Sequence, residues 1–309
     1  MQSGQTAVII RYRIFQLGLI ILRLIRIFTA CLALFLLIGC ASHTPAADVA
    51  ATTAPVAQFA QSIASGTPIT ITQIISESVS CLHDYSLSVS QMKILEQSQL
   101  ILISGLGLED FMEDILDGRN VTDCSAGAEF LTLEGHDDHD GHDHGHFDPH
   151  IWLSPEQAQI MAENICHALT AQFPEHGATF RSNTDTLKNQ LTQLQTEGQA
   201  ALSDLSCRKL ITFHDGFAYL ANAFDLEILA AIEEENGSEA SAKELIQIIR
   251  LVQEHNLPAV FTEVNGSVSA ASIICAETGI PDYPLDMAMN GDYFEAMEAN
   301  IQTLKEALQ

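Results

Sequence analysis

The chain has 309 residues, 40 of them Asp or Glu and only 13 Lys or Arg, a formal charge of −27. Such a deficit of cations excludes a nucleic-acid binder, because phosphate contacts need clustered Lys and Arg. Apolar residues make up 47%, enough to bury a core of about two domains' worth of chain, and six of the twelve histidines fall within residues 136–150.

The first forty residues read as an export signal. Arg11, Arg13, Arg23 and Arg26 precede an uncharged run at 27–39. That run has the length of a signal core and is short for a bilayer span. It ends Leu37-Ile38-Gly39-Cys40, which resembles the lipobox of bacterial lipoproteins, in which the cysteine is lipidated. Residues 1–39 are expected to be removed, and residues 40–53 to form a lipidated flexible tether. Removal takes away four Arg and no acid, leaving nine cationic residues against 40 acids, or −31. A field of this sign attracts cations.

The rest alternates strand and helix patterns. Residues 69–75 read as a strand, 90–99 as a helix, 100–104 as a short buried strand and 108–116 as a helix. Ser154-Pro155-Glu156-Gln157 has a capping serine and a first-turn proline, and predicts a helix to about residue 173, where Pro174 breaks it. A long helical pattern follows at 176–205, about 45 Å at 1.5 Å per residue. Strands are predicted at 210–213, 226–232, 259–263 and 283–286. Helices are predicted at 216–224, from the capping box Ser241-Ala242-Lys243-Glu244 to about residue 255, at 270–278 and at 293–309. The fold class is therefore α/β, with two lobes of mostly parallel sheet, an N-terminal lobe over 54–173 and a C-terminal lobe over 206–309, joined by a connecting helix over 174–205.

Ligands in such sheets sit at the carboxyl ends of strands. Four segments there carry metal-ligating side chains: His83 in 81–85, His150 in 147–152, His214 at the end of a strand, and Asp286 at the end of another. One such histidine alone is more ordinarily a hydrogen-bonded, half-buried residue. Three in corresponding positions, with a carboxylate or a water, match the tetrahedral shell of zinc. Between the first two segments runs EGHDDHDGHDHGHFDPH at 134–150. His136, His139, His142, His144 and His146 alternate there with acids in a tract, 134–147, that cannot pack a core. Its irregular spacing suits weak capture of divalent cations beside the specific site.

Five cysteines follow Cys40: Cys81, Cys124, Cys166, Cys207 and Cys275. An odd number leaves at least one free thiol. A Cys81–Cys124 bridge and buried free thiols are equal readings, and the pairing is open.

These motifs, in this order, resemble the zinc branch of the metal-specific substrate-binding lipoproteins of bacterial ABC importers. The carriers are HDY at 83–85, SGLGLEDF at 104–111, the histidine-rich tract, DPHIWLSP at 148–155, TFHDGFAYLA at 212–221, SEASAKEL at 238–245, FTE at 261–263 and Leu285-Asp286. The resemblance implies two α/β lobes joined by one rigid helix, with the metal in the cleft between them. It implies no catalysed reaction, and Zn²⁺ as transported cargo bound by His83, His150 and His214. Asp286 or a water completes the shell, since Leu82 stands where some relatives carry Glu. Asp148 and Glu263 are candidates to orient the ligand imidazoles, with a structural salt bridge the equal alternative for Glu263. The implied partners are a membrane permease and its cytoplasmic ATPase, with a monomeric receptor anchored through Cys40 on the extracytoplasmic face. A manganese receptor of the same family, a surface adhesin or metal-buffering lipoprotein, and a zinc-dependent hydrolase are the alternatives.

Overall fold

The computed structural model describes residues 47–75, 85–132, 147–233, 241–264, 266 and 269–309. The signal segment, Cys40, Cys81, His83 and the histidines at 136–146 lie outside the described residues. Among the described residues no helix is long and apolar enough to cross a membrane.

The first half builds a four-stranded sheet. Its elements are β1 (Val49–Ala51), α1 (Ala54–Ala64), β2 (Ile71–Gln73), α2 (Val89–Gln97), β3 (Leu100–Ile103), a 3₁₀ turn at Asp110–Met112, the single turn α3 (Glu113–Leu116), and β4 (Val121–Asp123). The strand order is β2-β1-β3-β4, and every pairing is parallel. Parallel strands are covered on both faces, and β1 is fully buried.

Residues 47–53, expected to belong to a tether, are instead part of this folded sheet. Ala50 and Ala51 give no strand signal by size or branching, yet the segment is a central strand and Thr52 and Thr53 are buried behind it. Small residues serve there because α1, itself rich in alanine, lies directly over the strand. The strand β4 also escaped the sequence pattern. The helix expected over 108–116 forms only as a 3₁₀ turn followed by one α-turn.

The connection runs through a 3₁₀ turn at Ile151–Leu153, α4 (Pro155–Gln172), a 3₁₀ turn at Pro174–His176 and α5 (Gly177–Ala201). Ser154 caps α4, accepting from the Gln157 N–H. At 25 residues, α5 is the longest helix among the described residues, about 38 Å at 1.5 Å per residue. It packs on α4 and α1 through Phe180, Leu187, Leu191 and Leu194. It ends four residues earlier than the predicted 205 because the chain turns at Leu202. There the Arg208 guanidinium donates to the carbonyls of Leu202, Ser203, Phe224 and Asp225. A fixed cation thus satisfies carbonyls that a helix end leaves unpaired.

The second half repeats the plan: β5 (Lys209–His214), α6 (Ala218–Ala223), β6 (Glu227–Glu233), α7 (Ala242–His255), β7 (Val260–Glu263), α8 (Ser269–Thr278), β8 (Asp282–Leu285) and α9 (Tyr293–Leu308). Strand order is β6-β5-β7-β8, again all parallel. The capping box at Ser241 and Glu244 opens α7 as expected.

One apolar cluster runs through both halves, from Val49 and Phe59 through Trp152 and Phe180 to Phe261, Leu285 and Leu308. A second, smaller cluster covers the other face of the second sheet. Residues 47–309 accordingly form one compact unit. Among the described residues Cys124, Cys166, Cys207 and Cys275 are free thiols, with Cys124 and Cys166 buried; Cys81, and with it the Cys81–Cys124 bridge, lies outside the described residues.

Candidate metal centre

Three adjacent strands of the second sheet deliver acid or imidazole at their carboxyl ends. His214 is the last residue of β5, Glu263 the last of β7, and Asp286 follows β8 directly. Since β5, β7 and β8 are neighbours, the three side chains share the edge at which parallel sheets take ligands.

His150 reaches the same edge from the first half of the chain. It stands at the start of the 3₁₀ turn Ile151–Leu153 and is 5% exposed, against 7% for His214. The two imidazole centroids are 5.5 Å apart and nearly perpendicular, at 79°. The Trp152 ring lies edge-on to His150 at 5.3 Å. Trp152 is held in turn by its Nε1, which donates to the Met287 carbonyl at 2.8 Å, and by its carbonyl, which accepts from the Tyr293 hydroxyl at 2.7 Å.

Asp148 is fully buried and serves His150 twice. Its Oδ1 lies 2.8 Å from His150 Nδ1 and accepts the His150 backbone N–H at 2.9 Å. Its Oδ2 accepts from the Ala218 N–H at 3.2 Å, at the start of α6. A carboxylate in that place can orient the imidazole. Asp286 is fixed by its backbone: its N–H donates to Asn300 Oδ1 at 2.7 Å, and its Oδ1 accepts from Ala288 N at 2.8 Å. Among the described residues no three His, Cys, Asp or Glu side chains converge closely enough to hold a metal by themselves. His83 lies outside those residues, and so do the five tract histidines. The base of that tract is described: Thr132 and Phe147 form an antiparallel bridge, and the Phe130 and Phe147 rings lie 5.4 Å apart.

Sequence reasoning missed two features here. Gly216 lets the β5–α6 turn approach His150, and Tyr219 bonds across to residues 129 and 131. Both lie in TFHDGFAYLA, but only a three-dimensional neighbour gives them meaning. A third missed group sits at the carboxyl edge of the first sheet. Glu109 is buried, accepting from Thr52 Oγ1 at 2.6 Å, Ser104 N at 2.7 Å and Gly105 N at 3.0 Å. Burial pushes its carboxyl up to about 7 against those three donors, and Asp123 adds to the rise.

Residues 49–307 match the family described as zinc-uptake complex component A, periplasmic. The chain belongs to this family. The "Zinc-binding protein AdcA" of Streptococcus pyogenes serotype M3 is 27% identical over 252 residues, covering 72% of this chain and 49% of its own length. The chain thus spans about half the length of that relative. A "Putative metal-binding protein" of Treponema pallidum is 27% identical over 281 residues, covering 86% and 88%. Among solved structures, one of ZnuA is 28% identical with a TM-score of 0.75, covering 85% of this chain and 100% of the other. The laminin-binding protein of Streptococcus agalactiae, titled a bifunctional protein with adhesin and metal transporting activity, is 24% identical with a TM-score of 0.74, covering 84% and 99%. At that identity it shows a shared fold and nothing of adhesion. The resemblance read from the motifs, and the α/β fold with two parallel sheets and a long helix, both hold.

Proposed function

We propose that the protein is a zinc receptor of a bacterial ABC importer. It binds Zn²⁺ outside the cytoplasm and passes it to a membrane permease driven by a cytoplasmic ATPase. The observation that carries this reading is the meeting of His150 and His214, one from each half of the chain, beside the buried Asp148. A His150 that donates its Nδ1–H to Asp148 Oδ1 keeps its lone pair on Nε2, the nitrogen that would ligate a metal. Two imidazoles set this way favour zinc over the harder cations. His83 supplies the third nitrogen, and Asp286, on the same sheet edge as His214, the fourth ligand. The five histidines at 136–146 gather cations near the site.

The receptor catalyses no reaction and works as a monomer anchored through lipidated Cys40. Membership of a zinc-uptake family supports zinc rather than manganese as cargo. The deciding experiment is a calorimetric competition between Zn²⁺ and Mn²⁺, run on the mature protein and on a variant with His83, His150 and His214 all changed to Ala. Tight, zinc-preferring binding that vanishes in the triple variant is the expected result. A tight site that survives the triple change sinks the assignment.

A further inference from the structure

Four hydrogen bonds and one peptide link close a circuit across the two halves of the chain. The Tyr219 hydroxyl, in the first turn of α6, accepts from Leu131 N at 3.2 Å and donates to Glu129 O at 2.8 Å. Leu131 O accepts from Asp148 N at 2.9 Å. Asp148 Oδ2 accepts from Ala218 N, and Ala218 is bonded covalently to Tyr219. One member of this circuit, Asp148, also holds His150 through its other oxygen.

We propose that Tyr219 is a positioning residue for the metal centre: by pinning residues 129–131 to α6, it fixes the backbone of Asp148 and through it the His150 imidazole. The inference rests on the reading of His150 as a ligand. Its chemistry is specific to a phenol at this place. One oxygen both donates to a carbonyl and accepts from an N–H two residues on, a pairing Phe cannot make and water would make without the covalent tie to Ala218. Tyr219 is 1% exposed, so the hydroxyl competes with little solvent. Burial, with Asp148 and Glu129 reinforcing it against the Leu131 N–H, pushes the phenol up to about 12 and keeps it protonated at any physiological pH. The donor to Glu129 O therefore persists.

The test is a zinc competition titration against a chromophoric chelator for the wild type, Tyr219→Phe, Asp148→Asn and the double variant. Removing a group that orients a ligand weakens metal affinity by about 10- to 100-fold. Tyr219→Phe is expected near the lower end, about tenfold. If Tyr219 acts through Asp148, the double variant binds no more weakly than Asp148→Asn alone. A tyrosine that merely supports the fold gives independent losses. Cobalt(II) substitution adds a spectroscopic readout, since the visible bands of the Tyr219→Phe site shift if His150 turns. Unchanged affinity and bands in a folded Tyr219→Phe protein overturn the inference. Should that variant not fold, hydrogen exchange on the wild type decides: the Leu131 and Ala218 amides gain protection together on adding zinc, and no gain at Leu131 overturns it. A wild type without a tight site, or a His150→Ala variant that keeps one, overturns the receptor reading instead.

Discussion

The backbone at Gly216 lies against the imidazole of His150. A β-carbon added there would sit 2.7 Å from His150 Nδ1 and 2.7 Å from the Met287 methyl. Real β-carbons do not approach so closely, so Gly216→Ala must displace the ring or the turn after β5. The expected result is a zinc affinity lower by about tenfold, with an overpacking cost of about 1–3 kcal/mol. Isothermal titration and thermal unfolding of the variant check the two parts separately, and wild-type affinity would show that the ring is not held where zinc needs it.

Glu109 makes stability depend on pH. Its carboxyl is raised to about 7 in the folded protein, against an ordinary value of 4.5. The folded state therefore binds the proton more tightly than the unfolded state. This contribution is fully present below about pH 4.5, is lost as pH rises to about 7, and is constant above. The span corresponds to about 3 kcal/mol. Glu109→Gln should flatten that part of the profile, read as urea midpoints between pH 4.5 and 7.5. A variant whose midpoints slope as steeply as the wild type's would show that Glu109 is not the group responsible.

Trp152 Nε1 donates to Met287 O in a buried setting. Trp152→Phe removes the donor, leaves that carbonyl without its bond and opens a cavity beside His150. A loss of about 2–4 kcal/mol is expected from these effects together, measured by chemical denaturation, along with weaker zinc binding. Stability close to wild type would mean that the seam closes up around the smaller ring.

The four described thiols should differ in reactivity. Cys124 is buried and its thiol is pushed well above the ordinary value, first by burial and then by the Glu109 and Asp123 charges. Cys166 is buried as well, whereas Cys207 and Cys275 are partly exposed. A thiol reagent added to native protein should modify Cys207 and Cys275 first, and Cys124 and Cys166 only on unfolding. Peptide mapping by mass spectrometry reads the order, and early labelling of Cys124 would contradict the burial described here.

Zinc binding should weaken as pH falls below the ordinary imidazole range near ~6.5, because a protonated ring cannot ligate. Titrations at several values from pH 5 to 8 test this, and affinity independent of pH would exclude imidazole ligation.

Much of this arrangement was legible because local chemistry agreed with the global fold. Ser154 and Ser241 announce their helices by capping, and His214 ends a run of apolar residues that reads as a strand. Asp148 was named as a carboxylate that could take an imidazole N–H, and it lies against His150 Nδ1. What stayed hidden needed a third dimension. β1 consists of small residues chosen for close packing under α1, which a hydrophobic pattern cannot register. Glu109 reads as one acid among forty until Thr52 and Ser104 are seen to surround it. The turn at Gly105 is similar: a β-carbon there would meet Asp123 Oδ1 at 2.0 Å, a contact between segments 18 residues apart in the chain.

The seam between the two sheets also bears on how the molecule must be made. The segment after β8 is bound to the first half at several points: Met287 to Trp152, Gly291 and the Tyr293 N–H to Gln58, and the Tyr293 ring to Phe59. Cut within α5 and produced as two polypeptides, each piece would expose half of an apolar interior that the other normally covers. Such fragments should be insoluble when made singly and recover a native fold when made together, so the two sheets are expected to fold as one cooperative unit.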